Sequence, residues 1–333
     1  MTTRTKELIA VGAITVFSLV FYLGKVSGWK PHQLSVPLSI AAILLIAVSL
    51  LWIFVRTIQG HAVGRRIVFL YIGIAVSLPL FMSLTQKIKI SPEVMEAYDS
   101  LKALPPGSKV LISFDYDPPS APELQPMAIS VLRYCFEHDL KVIIMGLWPQ
   151  GPQQAQMAVA QAMEDPAIAS KNLKYGEDYV NLGFQTGNEF VIQRMGTDIS
   201  SMFAKDYLGN SYGDLPLVRN VKNFNNIDFS FNLSAGYPGT VEWVQVAVDR
   251  YGLKMAAGNT AVQAPQVYPY LRTGQLKGLL GGMSGAAEFE SAMKQPGKGT
   301  KFMLSQSFAH MVVIAFIIIG NVAYFSSGRK KKL

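Results

Sequence analysis

The chain has 333 residues, of which 50% are hydrophobic and 16% charged, an apolar balance for a soluble protein. Its net charge of +8 does not mark a nucleic-acid-binding face, because residues 87–301 hold 19 basic and 21 acidic side chains and the positive excess lies outside them. The single cysteine, Cys135, excludes an intrachain disulfide, so a folded domain must rest on its hydrophobic core.

Four runs free of Asp, Glu, Lys and Arg approach or reach the length of about 20 residues that crosses a bilayer. They are 8–23, 36–55, 67–84 and 309–325. These runs predict four transmembrane helices, three N-terminal and one C-terminal. The first follows the basic residues Arg4 and Lys6, as a signal peptide would, but no small-x-small cleavage site follows it cleanly. The expected organisation is a transmembrane region over 1–86, an α/β domain over 87–300, and a final helix with a basic tail over 301–333. Arg4, Lys6, Arg56, Arg65, Arg66 and the run Arg329-Lys330-Lys331-Lys332 flank the spans, whereas the loop between the first two spans has only Lys25 and Lys30. Short cytoplasmic loops carry the excess of Lys and Arg. Both termini are therefore expected in the cytoplasm of a multi-pass cell-membrane protein, with the domain outside. Trp29, Trp52, Tyr22 and Tyr324 fall near span ends, as interfacial anchors do. Pro79 is expected to kink the third span.

Within the domain, residues 91–104 read as a short polar helix and 109–116 (KVLISFDY) as a strand. Pro118, Pro119 and Pro122 punctuate the next turn, and Pro122 suits the start of a helix over 123–138. Leu124, Ala128, Val131, Leu132 and Cys135 supply its apolar stripe. A strand at 140–147, a helix at 152–164, an apolar run at 179–184 and a helix at 188–203 follow. Residues 205–226 read as a loop excursion around a short strand at 217–221. Residues 227–233 form a strand, and 234–240 a tight turn whose Thr240 is placed to cap the next helix. A pattern then recurs: Leu140-Lys141, Leu253-Lys254 and Leu276-Lys277 each open an apolar run that closes on glycine, at Gly146, Gly258 and Gly281-Gly282. Strands alternating with helices predict a mainly parallel, doubly wound sheet. Residues 295–307 read as a linker into the last span.

Candidate chemistry sits at the strand ends, where open α/β sheets bind ligands. Asp115 and Asp117 close the first strand. Two carboxylates so spaced can hold a divalent cation, and they can equally end a strand by bonding nearby backbone N–H groups. This Asp-x-Asp resembles the opening of the haloacid-dehalogenase phosphatases. The match stops there, since Pro119 stands where that family has Thr and no later Lys and Asp-Asp set follows. Ser234, Gly236, Gly258 and Asn259 are candidate pocket lining at two other strand ends. Gly281, Gly282 and Ser284 belong to a glycine-rich turn expected before a helix at about 286, where exposed N–H groups can hold an anion. That turn has neither a Walker Lys-Ser/Thr nor Gly-x-Gly-x-x-Gly spacing, so no cofactor is implied by a specific motif. Cys135 and His138 lie three apart on one helix, with the cysteine on its apolar stripe, where an inert thiol is the ordinary case. Asn321 is the strongly polar side chain within a span and can bond to a neighbouring helix.

These features favour a binding or interaction module that serves as a subunit or scaffold of a membrane assembly. The expected partners are the lipid bilayer and other membrane subunits or further copies of the chain, not nucleic acid. The alternatives are a membrane-anchored hydrolase or transferase using Asp115 and Asp117, and a solute sensor with its ligand in the strand-end crevice.

Overall fold

The computed structural model describes residues 35–61, 63–82 and 87–330, with side chains placed to residue 325. The chain divides into two compact units, one of Met1–Leu84 with Ser307–Leu333 and the other of Thr85–Gln306.

In the first unit, α1 spans Val36–Ile58 and α2 spans Arg65–Ser77. The expected first span, 8–23, lies outside the described residues. Pro79 has no N–H to donate to the carbonyl four residues back, so the Leu78 N–H to the Ile74 carbonyl is the last α-type bond and a 3-10 turn, Leu78–Phe81, takes over. At 13 residues α2 covers only about 20 Å, less than a hydrocarbon core of about 30 Å. Two described helices are long and apolar enough to cross a membrane, Val36–Ile58 and Lys298–Phe325. Their apolar side chains face outward: Leu45 is 72% exposed, Val48 65% and Phe325 70%, which a buried core helix would not show. Tyr71 meets Phe316 edge-on, with ring centroids 5.6 Å apart.

The second unit is built on a six-stranded, wholly parallel sheet. In chain order its elements begin with α3 (Pro92–Lys102), β1 (Lys109–Asp115), α4 (Ala121–Glu137) and β2 (Lys141–Gly146). Then come α5 (Gly151–Met163), the single turn α6 (Pro166–Ala169), β3 (Tyr179–Phe184) and α7 (Glu189–Met195). After β4 (Phe229–Ser234) the chain forms α8 (Thr240–Trp243), a π-helical turn (Val244–Val248) and α9 (Asp249–Tyr251). It ends with β5 (Met255–Asn259), α10 (Ala264–Arg272), β6 (Leu276–Gly281), α11 (Gly282–Ala292) and α12 (Lys298–Lys330). The strand order is β3-β2-β1-β4-β5-β6. Strand residues alternate between two cores. Val110, Ile112 and Phe114 pack with α3, α4, α5 and α11 on one face, and Leu111 joins the core of α7, α8 and α10 on the other. The sheet is thus doubly wound, as the alternation of apolar runs and helices predicts.

Local readings needed correction. Residues 217–221 form turns, not a strand: the amides of Val218 and Val221 bond to carbonyls three residues back, and Leu217, Val218 and Val221 are buried by that coil. The helix expected over 188–203 ends at Met195, with Gly196 as its C-cap against the Tyr251 ring; the Thr197 and Asp198 amides bond back to the Arg194 carbonyl, and the Asp198 carboxylate accepts the Ser200 N–H to start a separate turn. Thr240 does not cap its helix; Gly239 holds that position, and the Thr240 hydroxyl donates to Asn232 Oδ1 at 2.6 Å. The glycine-rich turn is itself the first turn of α11, which starts at Gly282 and not near residue 286. The expected linker over 295–307 is largely helical, since α12 begins at Lys298.

One glycine controls how α3 meets the sheet. Gly278 has φ of +150°, and a Cβ there would stand 2.3 Å from the Ala97 backbone nitrogen. Only glycine lets the helix approach β6 this closely.

Candidate functional site

In a doubly wound sheet the place for a ligand is beyond the carboxyl ends of the strands, where the chain order reverses. Here that point lies between β1 and β4, which pair Asp115 with Ser234. The protein's own side chains occupy it. Ser113, Asp115, Asn232, Ser234, Thr240 and Asn259 are all fully buried, and Gln263 is nearly so.

Asp115 is the centre of this cluster. Its Oδ1 accepts the Leu147 backbone N–H at 2.7 Å. Its Oδ2 accepts the Ser113 hydroxyl at 2.6 Å, Asn232 Nδ2 at 2.7 Å and Trp243 Nε1 at 2.9 Å. Burial pushes the Asp115 carboxyl up to about 6, while the four donors pull it the other way. The bonds continue outward from Asn232. Thr240 donates to Asn232 Oδ1, and Asn259 Nδ2 donates to Thr240 Oγ1 at 2.8 Å and to Gln263 Oε1 at 2.9 Å. Gln263 Nε2 then donates to Ser234 Oγ at 3.2 Å and to the Gly236 carbonyl at 3.1 Å. One connected network therefore ties β1, β4 and β5 to the starts of α8 and α10. The network is satisfied around Asp115 but not throughout, since the buried Asn259 Oδ1 has no partner; bonds of this kind rigidify the end of a sheet.

The predicted residues do not all meet. Asp117 lies outside the network at the N-cap position of a 3-10 turn, where its carboxylate accepts the Ser120 hydroxyl at 3.0 Å but caps no backbone N–H. Ser234, Gly236 and Asn259 belong to the cluster. Gly258 makes room for packing: a Cβ there would lie 2.8 Å from Leu233 and 2.9 Å from Met127. Gly281 and Ser284 bond to each other within the start of α11, and Gly282 faces Ala261 and Glu123. Cys135 is fully buried, and burial pushes its thiol up to about 12. His138 stacks on Tyr134 at 4.1 Å and shares its Nδ1 with the Tyr134 carbonyl, so the two residues form no nucleophilic pair. Among the described residues no group of three or more His, Cys, Asp or Glu is placed to hold a metal ion. Asn321 is described on the first unit's part of α12, where its amide donates to the Ile317 carbonyl at 2.9 Å.

Sequence reasoning missed Ser113, Asn232 and Trp243 as partners of Asp115, and Thr240 and Gln263 as outer members of the network. A signal was present for two members: Ser113 and Asn232 are polar residues inside otherwise apolar strands, which is unusual unless each finds a partner.

The strand order is that of the doubly wound dinucleotide-binding sheets. The turn after β1, however, reads Tyr116-Asp117-Pro118-Pro119-Ser120 and has none of the glycines that let a pyrophosphate approach the backbone. No family model, no curated protein and no solved structure matches the chain.

Proposed function

We propose that this protein is a multi-pass cell-membrane protein whose α/β domain is an extracytoplasmic binding or interaction module, working as a subunit or scaffold of a larger membrane assembly. The observation that carries this reading is the filled switch point: the crevice where such a sheet would bind a small substrate is closed by the Asp115–Gln263 network. A hydrolase or transferase built on Asp115 and Asp117 would need both carboxylates to share an open site. One is buried and fully bonded, and the other lies outside the network and accepts the Ser120 hydroxyl.

In this reading α2, continued by the 3-10 turn Leu78–Phe81, crosses as the run 67–84, and with the run 8–23 and the two long helices it makes four spans, an even number that would leave both termini on one side. The basic flanks assign that side to the cytoplasm. The sole cysteine makes this testable, because the buried, protonated thiol of Cys135 should stay silent to a membrane-impermeant maleimide. Val262→Cys in intact cells is expected to label and Lys332→Cys to label only after permeabilisation. The opposite pattern would reverse the orientation.

The assembly itself is tested by native mass spectrometry of the full chain released from nanodiscs. A species heavier than one 36.5 kDa chain is expected. Asn321→Leu should weaken it modestly, by about 0.6–2 kcal/mol, if that amide bonds to a neighbouring subunit. A monomer at every concentration, together with a metal-dependent hydrolysis, would favour the enzyme reading instead.

A further inference from the structure

The strand-end face carries an exposed surface beyond the buried network, and the loop 234–239 is its hub. Trp148 donates through Nε1 to the Pro238 carbonyl at 2.8 Å. The Tyr237 hydroxyl lies 3.0 and 3.2 Å from the two carboxylate oxygens of Glu189 and accepts from Asn188 at 3.2 Å. Gln263 holds the Gly236 carbonyl and so joins the turn after β5 to the same loop. Tyr237 is 61% exposed, the neighbouring Phe190 59% and Val262 86%. The loops after β2, β3, β4 and β5 thus present aromatic and apolar side chains together on one end of the domain. Large apolar groups gathered and exposed in this way mark a surface that meets another molecule.

Charge selects the occupant. The six segments that follow the strands are 116–123, 147–154, 184–190, 235–242, 260–267 and 281–288. They contain no Lys or Arg, yet they hold Asp117, Glu123, Glu189, Glu242 and Glu288. The opposite ends of the strands open instead on Lys109, Lys141, Lys254 and Lys277. Acids at helix starts complement the helix dipole, and Glu123, Glu189 and Glu242 sit in first turns. That preference accounts for the acids. It does not account for the absence of Lys and Arg from these six segments, nor for rings left in solvent, and the charges that act on the Tyr237 hydroxyl are those of Glu189 and Glu242. An anionic partner, whether nucleic acid or acidic lipid headgroups, would meet the like charge of Glu189 and Glu242 around Tyr237.

We infer that this face docks a basic segment of a partner protein, with Lys or Arg stems lying on Tyr237, Phe190 and Val262 and the cationic heads set against Glu189 and its acidic neighbours. The inference rests on the reading of the domain as an interaction module and names its surface and the chemistry of its partner.

The test places a photo-cross-linking side chain at Val262 of the full chain in its native membranes, with the same group at Met157 as a control elsewhere on the surface. Products from position 262, and not from 157, are expected to map to one segment of one protein that contains Lys or Arg. A synthetic peptide of that segment is then titrated against the purified full chain in nanodiscs. Val262→Lys should weaken binding several-fold to roughly tenfold, while Val262→Glu should preserve or strengthen it, because only the sign of the charge differs. Products with lipid, with a second copy of this chain or with a segment lacking Lys and Arg would overturn the inference. So would equal losses in both variants, or no product at 262. If one of these results appears while native mass spectrometry still shows a heavier complex, the docking surface fails and the assembly reading survives. A monomer together with no product sinks both.

Discussion

Glu290→Ala is expected to destabilise the α/β domain by about 3–5 kcal/mol, a loss far larger than an ordinary surface change gives. Glu290 is buried on α11, and its carboxylate meets the start of α12. It accepts the backbone N–H groups of Gly297, Gly299 and Thr300, each at 2.8 Å, and the Thr300 hydroxyl at 2.6 Å. The Ser130 hydroxyl reaches it from α4 at 3.3 Å. The first N–H groups of a helix have no partner within the helix, and a negative charge at that end also complements the dipole. Removing the carboxylate would strand these donors in a buried place, at about 1–3 kcal/mol each where water cannot replace it. Glu290→Gln keeps the shape but presents an N–H₂ to groups that are themselves donors, so it should recover only part of the loss. Two measurements on the full chain in detergent check this. Chemical denaturation followed by near-UV circular dichroism should show the lower midpoint, and hydrogen exchange should show lost protection at residues 297–300 specifically. Wild-type protection there in the alanine variant would remove Glu290 from the role of cap.

The same contact explains why this part of the fold was hard to read in the sequence. Gln295-Pro-Gly-Lys-Gly-Thr300 has the composition of a linker, with a proline and two glycines. What makes residues 298–307 helical is a carboxylate supplied from another helix, together with close packing of Gly299 on Ala286 and Ala287. Both are tertiary effects that override local propensity. The strands were legible for the opposite reason. Buried parallel strands are short continuous apolar runs, and the Leu-Lys entry and glycine exit repeated at 140, 253 and 276 mark their limits. Their order in the sheet was not legible, because nothing in the sequence says that the chain returns from β3 at one edge to pair β4 with β1.

The site divides in the same way. Asp115 stands out in the sequence as an acid ending a run of apolar residues. Its partners do not, because Asn232 is 117 residues away and Trp243 is 128. Only the return of the chain to β4 brings them together. Once they are together, the reading of the acid changes. A strand-end aspartate open to solvent would be a ligand or a base, whereas one that accepts four protein donors is a structural node.

Asp115→Ala is therefore expected to cost about 3–5 kcal/mol at pH 7, because the donors from Leu147, Asn232 and Trp243 would be left buried and unpaired. The penalty should also depend on pH in a way that identifies the group. Burial raises the Asp115 carboxyl from 3.8 to about 6, so the folded state holds this proton more tightly than the unfolded chain does. Its contribution to stability is then fully present below about pH 4 and is lost as pH rises through about 6, for a change of about 3 kcal/mol. Other carboxylates act in the opposite sense: Asp178, partly desolvated yet held by Lys141 and by the Lys174 amide, is lowered and loses its contribution as pH falls. The raw stability curve mixes the two, so the informative quantity is the difference between wild type and Asp115→Ala at each pH. That difference should widen on going from pH 7 to pH 4, by up to about 3 kcal/mol. A difference that stays flat would mean that Asp115 titrates near its ordinary value in the folded protein. A variant that keeps wild-type stability at pH 7 would place the carboxylate outside the structural network and return it to the list of candidate reactive groups.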